Sequence, residues 1–286
     1  MKKIDLHAVD GIIRAVAQTE IMPRFRKLAE GDVEMKGVND PVTVADKETE
    51  RRLTEDLTAY LPGSLVVGEE SFAKDKSIMQ RIESDQPIWI IDPIDGTRNF
   101  VSGHPEFAVM VGLVTKKKTI ASWIHDPNSG DTVMAEQGAG VWLGSDKLKL
   151  TTDDQYLPVV GLVGTRIKKF LADPELMPHA ASLPNIEIGS CAGFDYPRLF
   201  TGTANYAKAQ TTRARFLIYR HTNAWDHIPG HFLHQEAGGY SADWAGQPYD
   251  MTMPRSGLLY AANQDEWNEL HRAFRPLIEH TAKALP

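Results

Sequence analysis

One cysteine, Cys191, stands among 286 residues, so no disulfide can form within the chain and a fold held by covalent cross-links is excluded. No stretch approaches the ~20 consecutive apolar residues that a membrane-spanning helix needs. Met1-Lys2-Lys3 is followed by no apolar segment of signal-peptide length. A protein of the reducing cytoplasm, free of the membrane, is therefore expected. Basic residues do not exceed acidic ones: 31 Lys and Arg stand against 38 Asp and Glu, a formal charge of -7. No electrostatic footprint for nucleic acid follows from that balance. The one basic triplet, Lys116-Lys117-Lys118, lies between apolar runs at 107–114 and 120–124 and reads as a solvated hairpin turn. Internal repeats, low-complexity tracts and long linkers are also missing. What is present is an ordinary globular composition, 42% hydrophobic, in a chain long enough to bury a sizeable core.

Apolar residues recur at helical spacing from Asp5 to Ala29, with Pro23 placed to kink or divide that helix. A second helix is expected from Val44 to Tyr60, ended by Leu61-Pro62-Gly63. Strands are expected at 65–67, 88–91, 107–114, 120–124, 132–135 and 141–142, with a partly helical polar stretch at 74–85. A composition break at Thr151-Thr152-Asp153-Asp154 suggests an N-terminal half (1–150) and a C-terminal half (151–286) joined in one compact unit. The second half reads as strands at 158–163, 186–188, 205–207 and 216–219. Helices are expected at 174–182, after Ser190, at 228–237 and at 264–285. Alternating helices and strands imply a layered α/β or α+β fold.

Acidic pairs at strand ends are the chemically informative feature. Trp89-Ile90-Ile91-Asp92-Pro93-Ile94-Asp95-Gly96-Thr97 is a bulky apolar strand that runs into two carboxylates. Pro93 is expected to stop the ladder there by removing a donor. Asp-Gly between apolar runs is also a hairpin signal, but two nearby anions repel unless a cation lies between them. A second strand ends in Gly68-Glu69-Glu70-Ser71, and in open α/β sheets ligands bind beyond the carboxyl ends of strands. Asp226, in Trp225-Asp226-His227-Ile228-Pro229-Gly230, precedes an apolar helix, where it would serve as N-cap. Asp40 and Asp46 bracket a Pro41-containing turn ahead of the Val44 helix.

Together these segments resemble the inositol monophosphatase family of magnesium-dependent, lithium-sensitive phosphatases. The pattern W-I-x-D-P-[IL]-D-G-T is matched in full. The G-E-E-S, D-P-V-T-x-A-D and W-D segments follow in family order, and Asp126-Pro127-Asn128 and Glu236-Ala237-Gly238-Gly239 fit as well. The resemblance covers about Ile12 to Trp267. It implies an alternating α-β-α-β-α layered sandwich, commonly homodimeric, that binds two or three Mg2+ ions. Carried over by motif position, Glu69, Asp92 and the carbonyl of Ile94 would hold one metal, and Asp92, Asp95 and Asp226 a second. Glu69 and Thr97 would orient or deprotonate the attacking water, with Asp46 supporting Thr97. The N–H groups of Gly96 and Thr97 would receive the phosphate of a small phosphorylated substrate. Gly189-Ser190-Cys191 would contact its alcohol moiety. Lys36 matches a family lysine near the metals, a solvated surface lysine being the alternative.

Departures from the pattern bear on the alcohol half of the substrate. Where many members have an acid seven positions before the W-D aspartate, this chain has Tyr219, followed by Arg220. Tyr219 is bulkier and uncharged, so weaker discrimination among polyol phosphates is expected. Gly193-Phe194-Asp195-Tyr196-Pro197 also differs from the usual small-residue helix start. Cys191 reads as a small packed residue rather than a nucleophile. His227 and His231, four apart, could suggest zinc, but the H-E-x-x-H arrangement is absent. An inositol, polyol or sugar phosphatase leads. A histidinol-phosphate phosphatase or 3'(2'),5'-bisphosphate nucleotidase is the enzymatic alternative, and a non-catalytic metal-binding regulator the one from another class.

Overall fold

The computed structural model describes residues 4–150, 158–179, 183, 185–201, 212–252 and 257–283. Its first helix, α1 (Leu6–Val16), is capped by Asp5, whose side chain accepts from the N–H groups of His7 and Ala8. A hairpin, β1 (Val33–Gly37) and β2 (Asp40–Thr43), leads into α2 (Val44–Tyr60). Then come β3 (Leu65–Gly68), α3 (Glu69–Lys74), β4 (Ile88–Asp95) and α4 (Thr97–Val101). An antiparallel run follows: β5 (Ala108–Thr115), β6 (Lys118–His125), β7 (Thr132–Glu136), β8 (Gly140–Leu143) and β9 (Asp146–Lys147). β3 to β9 form one seven-stranded sheet in sequence order, parallel only between β3 and β4.

The later residues build a second sheet. β10 (Lys149–Leu150) pairs with β13 (Phe200–Thr201) as a short ribbon. Five strands, β11 (Val159–Val163), β12 (Ile186–Ile188), β14 (Arg213–Tyr219), β15 (Tyr240–Ala242) and β16 (Leu258–Ala261), take the order β12-β11-β14-β16-β15. Between them run α5 (Ala192–Asp195) and α6 (Ala224–Glu236), and α7 (Gln264–Lys283) closes the chain.

Strand alternation sorts the side chains into layers. Along β5, Val109, Val111 and Leu113 point to one face and pack with Val9, Ile13, Leu53 and Leu57 of α1 and α2. Ala108 and Met110 point to the other, meeting Phe232 and Leu233 of α6, which also touch Leu217 and Tyr260 of the second sheet. Phe216, Ile218 and Leu259 turn away from α6 toward Trp267, Phe274 and Leu277 of α7. The order is therefore helix, sheet, helix, sheet, helix, the expected layered sandwich. α6 fits closely because Gly112 of β5 has no side chain: a Cβ there would lie 2.9 Å from Ile228.

Several local expectations are revised. α1 gives way at Ala17 to a π-helical turn, Ala17–Ile21, so the first helix stops well short of Ala29. Residues 174–179 form turns rather than a helix, and the strand expected at 205–207 lies outside the described residues. The Pro41 segment is strand β2, not merely a turn. Pro93 does not end the ladder: β4 continues to Asp95, with an irregularity of register between Asp92↔Met110 and Asp95↔Ala108. A bulge tolerates a residue without an N–H. Asp226 is not a cap, because α6 starts at Ala224 with Asn223 as N-cap, which places Asp226 in the first turn and Pro229 in the interior. The hairpin turn expected over Lys116-Lys117-Lys118 is present but tighter: Lys116 and Lys117 form it, both with positive φ (48° and 61°), and Lys118 already begins β6.

Candidate active site

Asp92, Asp95 and Asp226 converge from the end of β4 and the first turn of α6. Each offers a carboxylate oxygen, and these oxygens lie within 4.8 Å of one another. Asp92 is 1% exposed, and its buried Oδ1 has no hydrogen-bond partner. Such an orphaned acceptor, among like charges, suits a ligand to a cation rather than a finished core. Burial, then repulsion from Glu69, Asp95 and Asp226, pushes the Asp92 carboxyl well above its ordinary value. Burial, then repulsion from Asp95, raises Asp226 to about 7, against hydrogen bonds from Asp92 and Asn223. The Asn223 Nδ2 donates to Asp226 Oδ2 at 3.2 Å. Asp95 rises to about 6, again through burial, although the N–H groups of Gly193 and Gly96 and the Cys191 thiol donate to it.

Glu69, at the start of α3, stands beside this triplet and is raised to about 8 by burial first, with Asp226 and Glu70 adding to it against Lys36. Lys36 reaches over from β1, 2.7 Å from Glu69 Oε1 and 2.9 Å from Glu70 Oε1. Burial would lower its pKa, but the two carboxylates hold it well above the ordinary lysine range. It is thus an inward lysine and not a solvated one. The first turn of α3 is held in turn by Glu50, a buried carboxylate of α2 that accepts the N–H of Glu70 at 2.7 Å and of Ser71 at 2.8 Å. Gly68 makes room for it: a Cβ there would fall 2.4 Å from that carboxylate.

Thr97 opens α4 directly after Gly96, whose φ of 91° suits a residue without a Cβ. Its hydroxyl lies 3.1 Å from Asp46 Oδ1 and 3.0 Å from the carbonyl of Ile94. Asp46 is fully buried as the third residue of α2, where it closes a capping box with Thr43. Burial raises it to about 6 despite the Thr43 and Thr97 hydrogen bonds.

The remaining candidate residues border the triplet on the α5 side. Gly189, Ser190 and Cys191 link β12 to α5, and the Gly193 N–H donates to Asp95 Oδ2. Asn99 Nδ2 joins Glu106 O and Ser190 Oγ, at 2.7 and 3.0 Å, and so ties the α4 turn to this segment. The Cys191 thiol is pushed up by burial and by Asp95 and Asp195, which argues against a thiolate nucleophile. Tyr219, at the end of β14, donates to Asp195 Oδ2 at 2.8 Å. His227 and His231 form no metal group among the described residues. His227 is engaged by Tyr196 and the His221 carbonyl, and His231 lies at the edge of hydrogen-bond reach of Tyr260.

Sequence reasoning overlooked Glu50, Asn99 and Asp195 as parts of the site. Glu50 was findable: with Asp46, Leu53 and Leu57 it falls on the stripe of α2 that is buried. Asp195 had no such signal, since α5 spans only four residues.

The model of the "Inositol monophosphatase family" matches residues 5–279. Among curated relatives, "Nus factor SuhB" of Haemophilus influenzae is 30% identical over 244 residues, covering 85% of each chain. A "Fructose-1,6-bisphosphatase/inositol-1-monophosphatase" of Thermotoga maritima is 27% identical over 220 residues, 76% of this chain and 77% of that one. A solved IMPase structure from Thermotoga maritima superposes with a TM-score of 0.76 at 22% identity, covering 96% of this chain and 98% of the other.

Proposed function

The chain belongs to the inositol monophosphatase family, and from that premise we propose a magnesium-dependent phosphomonoesterase acting on a polyol or sugar monophosphate. The observation that carries this reading is the convergence of Asp92, Asp95 and Asp226 within 4.8 Å around the unpartnered Asp92 oxygen. Hard carboxylate oxygens, with no soft ligand in the group, suit Mg2+. Asp92, Asp95 and Asp226 would hold one ion, and Glu69, Asp92 and the Ile94 carbonyl another. When bound, such ions supply Lewis-acid chemistry, neutralising phosphoryl charge and acidifying water.

The chain's own groups account for the rest. Asp46, ionised at neutral pH, accepts the hydrogen bond of the Thr97 hydroxyl, so the Thr97 oxygen would act as an acceptor that orients a water. Glu69 would accept that water's proton, and Lys36, 2.7 Å away, would fix its carboxylate. The turn at Gly96 and Thr97 would receive the phosphate, while Gly189, Ser190, Cys191 and Tyr219 would border the alcohol. A homodimer in the cytoplasm completes the proposal; among the described residues no helix is long and apolar enough to cross a membrane.

A regulatory reading is favoured by one observation, the relative named as a Nus factor; the complete carboxylate set weighs for catalysis. Phosphate release is the test, with inositol 1-phosphate, sugar phosphates, histidinol phosphate and a 3',5'-bisphosphorylated nucleotide, with and without Mg2+. Magnesium-dependent release is expected, best from a polyol or sugar monophosphate. Release from none of them would overturn the reading.

A further inference from the structure

The first turn of α6 carries Asp226, and little in the helix itself holds that turn in place. Pro229 has no N–H to return to the carbonyl of Trp225, and Gly230 follows it in the helix interior. Asn223 makes no side-chain bond to the backbone as N-cap; its Nδ2 goes to Asp226 Oδ2 instead. The ties come from other elements. On one side the Trp225 ring packs 4.8 Å from that of Phe72 in α3. On the other, His227 is buried and held at both ring nitrogens. Its Nε2 lies 2.8 Å from the His221 carbonyl, and its Nδ1 lies 2.9 Å from the Tyr196 hydroxyl. Gly230 allows the second bond, because a Cβ there would fall 2.0 Å from the Tyr196 ring. The Tyr249 hydroxyl donates to the next carbonyl, that of Thr222, at 3.1 Å, and so steadies the loop ahead of α6.

A carbonyl only accepts, so His227 Nε2 carries the proton. Burial disfavours a charged ring, which leaves Nδ1 a bare acceptor, and Tyr196 donates to it. A phenol has one proton. The Tyr260 hydroxyl, 2.7 Å from that of Tyr196, therefore donates to the Tyr196 oxygen. Each proton on this chain of rings has one direction, and hydrogen bonds in series polarise one another. We propose that His227 is a positioning residue for the carboxylate of Asp226, a strut between the His221 carbonyl and the Tyr196 hydroxyl that fixes the first turn of α6. The inference rests on the metal group of the reading above and is independent of the substrate. Tyr196 directly follows α5, whose Gly193 N–H donates to Asp95. Phe72 lies on α3, whose first residue is Glu69. The strut and the Trp225 contact thus set Asp226 against the elements that hold Asp95 and Glu69, and keep it within the 4.8 Å grouping that a shared ion needs.

Metal affinity without substrate separates this role from a structural one. Mn2+, an ion that suits carboxylate oxygens, is titrated into the whole protein, and the free ion is counted by electron paramagnetic resonance. His227→Phe keeps a ring but removes both bonds, and is expected to weaken Mn2+ binding roughly 10- to 100-fold. His227→Gln, whose amide can still donate to the His221 carbonyl, is expected to stay within about threefold of the unsubstituted protein, and Tyr196→Phe to lose roughly three- to tenfold. Thermal unfolding in EDTA establishes that each variant is folded at the assay temperature; a merely structural ring would lower Tm and leave the affinity of the folded protein unchanged. In the unsubstituted protein, a 1H–15N spectrum of labelled histidine should show His227 as the Nε2–H tautomer, assigned by its loss in either position-227 variant. Unchanged affinity in His227→Phe, a loss in His227→Gln as deep as in His227→Phe, or an Nδ1–H tautomer would overturn the strut. The expected losses of Mn2+ affinity, with no phosphate released from any substrate, would support the strut while the phosphatase reading falls. An unsubstituted protein that binds no Mn2+ would overturn both.

Discussion

Replacing Asp92 by asparagine should make the metal-free protein more stable and the magnesium-loaded protein less so. Two unit charges 4.8 Å apart, at an effective dielectric of about 20, repel by about 3.5 kcal/mol. Three ionised carboxylates at that spacing would carry about 10 kcal/mol of repulsion, as much as the whole stability of a typical domain. Without a cation the group must therefore retain protons, in keeping with Asp95 at about 6, Asp226 at about 7 and Asp92 pushed well above its ordinary value. Asparagine removes two of the three repelling pairs. Part of that repulsion is already relieved by protonation, so a gain of about 2 kcal/mol is expected at pH 8 in EDTA, or roughly 4–8 °C in Tm. Magnesium at a hundred times its dissociation constant would stabilise the wild type by ~2.7 kcal/mol, and the variant, lacking the shared ligand, by little. The two melting curves should thus change order when Mg2+ replaces EDTA, and turnover should be lost in the variant. A variant that melts below the wild type in EDTA at pH 8, or that keeps the magnesium shift, would refute the reasoning.

The metal-free protein should lose stability as pH rises from about 6.5 to 8.5. There Glu69 (about 8), Asp226 and Asp195 (about 7) keep protons that the unfolded chain has lost, so the unfolded state binds fewer and rising pH favours it. Below that window the buried His125, His227, His231 and His234, lowered to about 3–4, work in the opposite direction. Urea unfolding in EDTA across pH 5–9 reads the slope, and a steady rise to pH 8.5 would contradict it. Gly68→Ala should displace the Glu50 carboxylate and strand the N–H groups of Glu70 and Ser71, costing about 2 kcal/mol or more; an unchanged Tm would show that Glu50 moves freely. Lithium at saturating Mg2+ should inhibit by competing at the Asp92, Asp95 and Asp226 group, and kinetics indifferent to lithium would count against a second ion there.

Local chemistry is written locally. The buried strand ending in Asp92 and Asp95, the Glu69 pair after β3, the Thr43 start of α2 and Asp226 before an apolar segment were legible because each depends on a few adjacent residues. So was the layered α/β class, since alternating helix and strand periods leave few ways to bury both faces of a sheet. Tertiary structure decided everything that joins distant segments. Pro93 remained inside β4 because partner strand β5 accepted a bulge. Glu50 became a clamp for α3 because α2 was laid beside β3. Tyr219, read alone, is a neutral substitute for an acid; packed against α5 it gives its hydroxyl hydrogen bond to Asp195. Hydrogen bonds between residues 24 apart, and charges that repel only once buried together, leave no trace in spacing or composition, because their energy exists only when folding brings the groups into one low-dielectric corner.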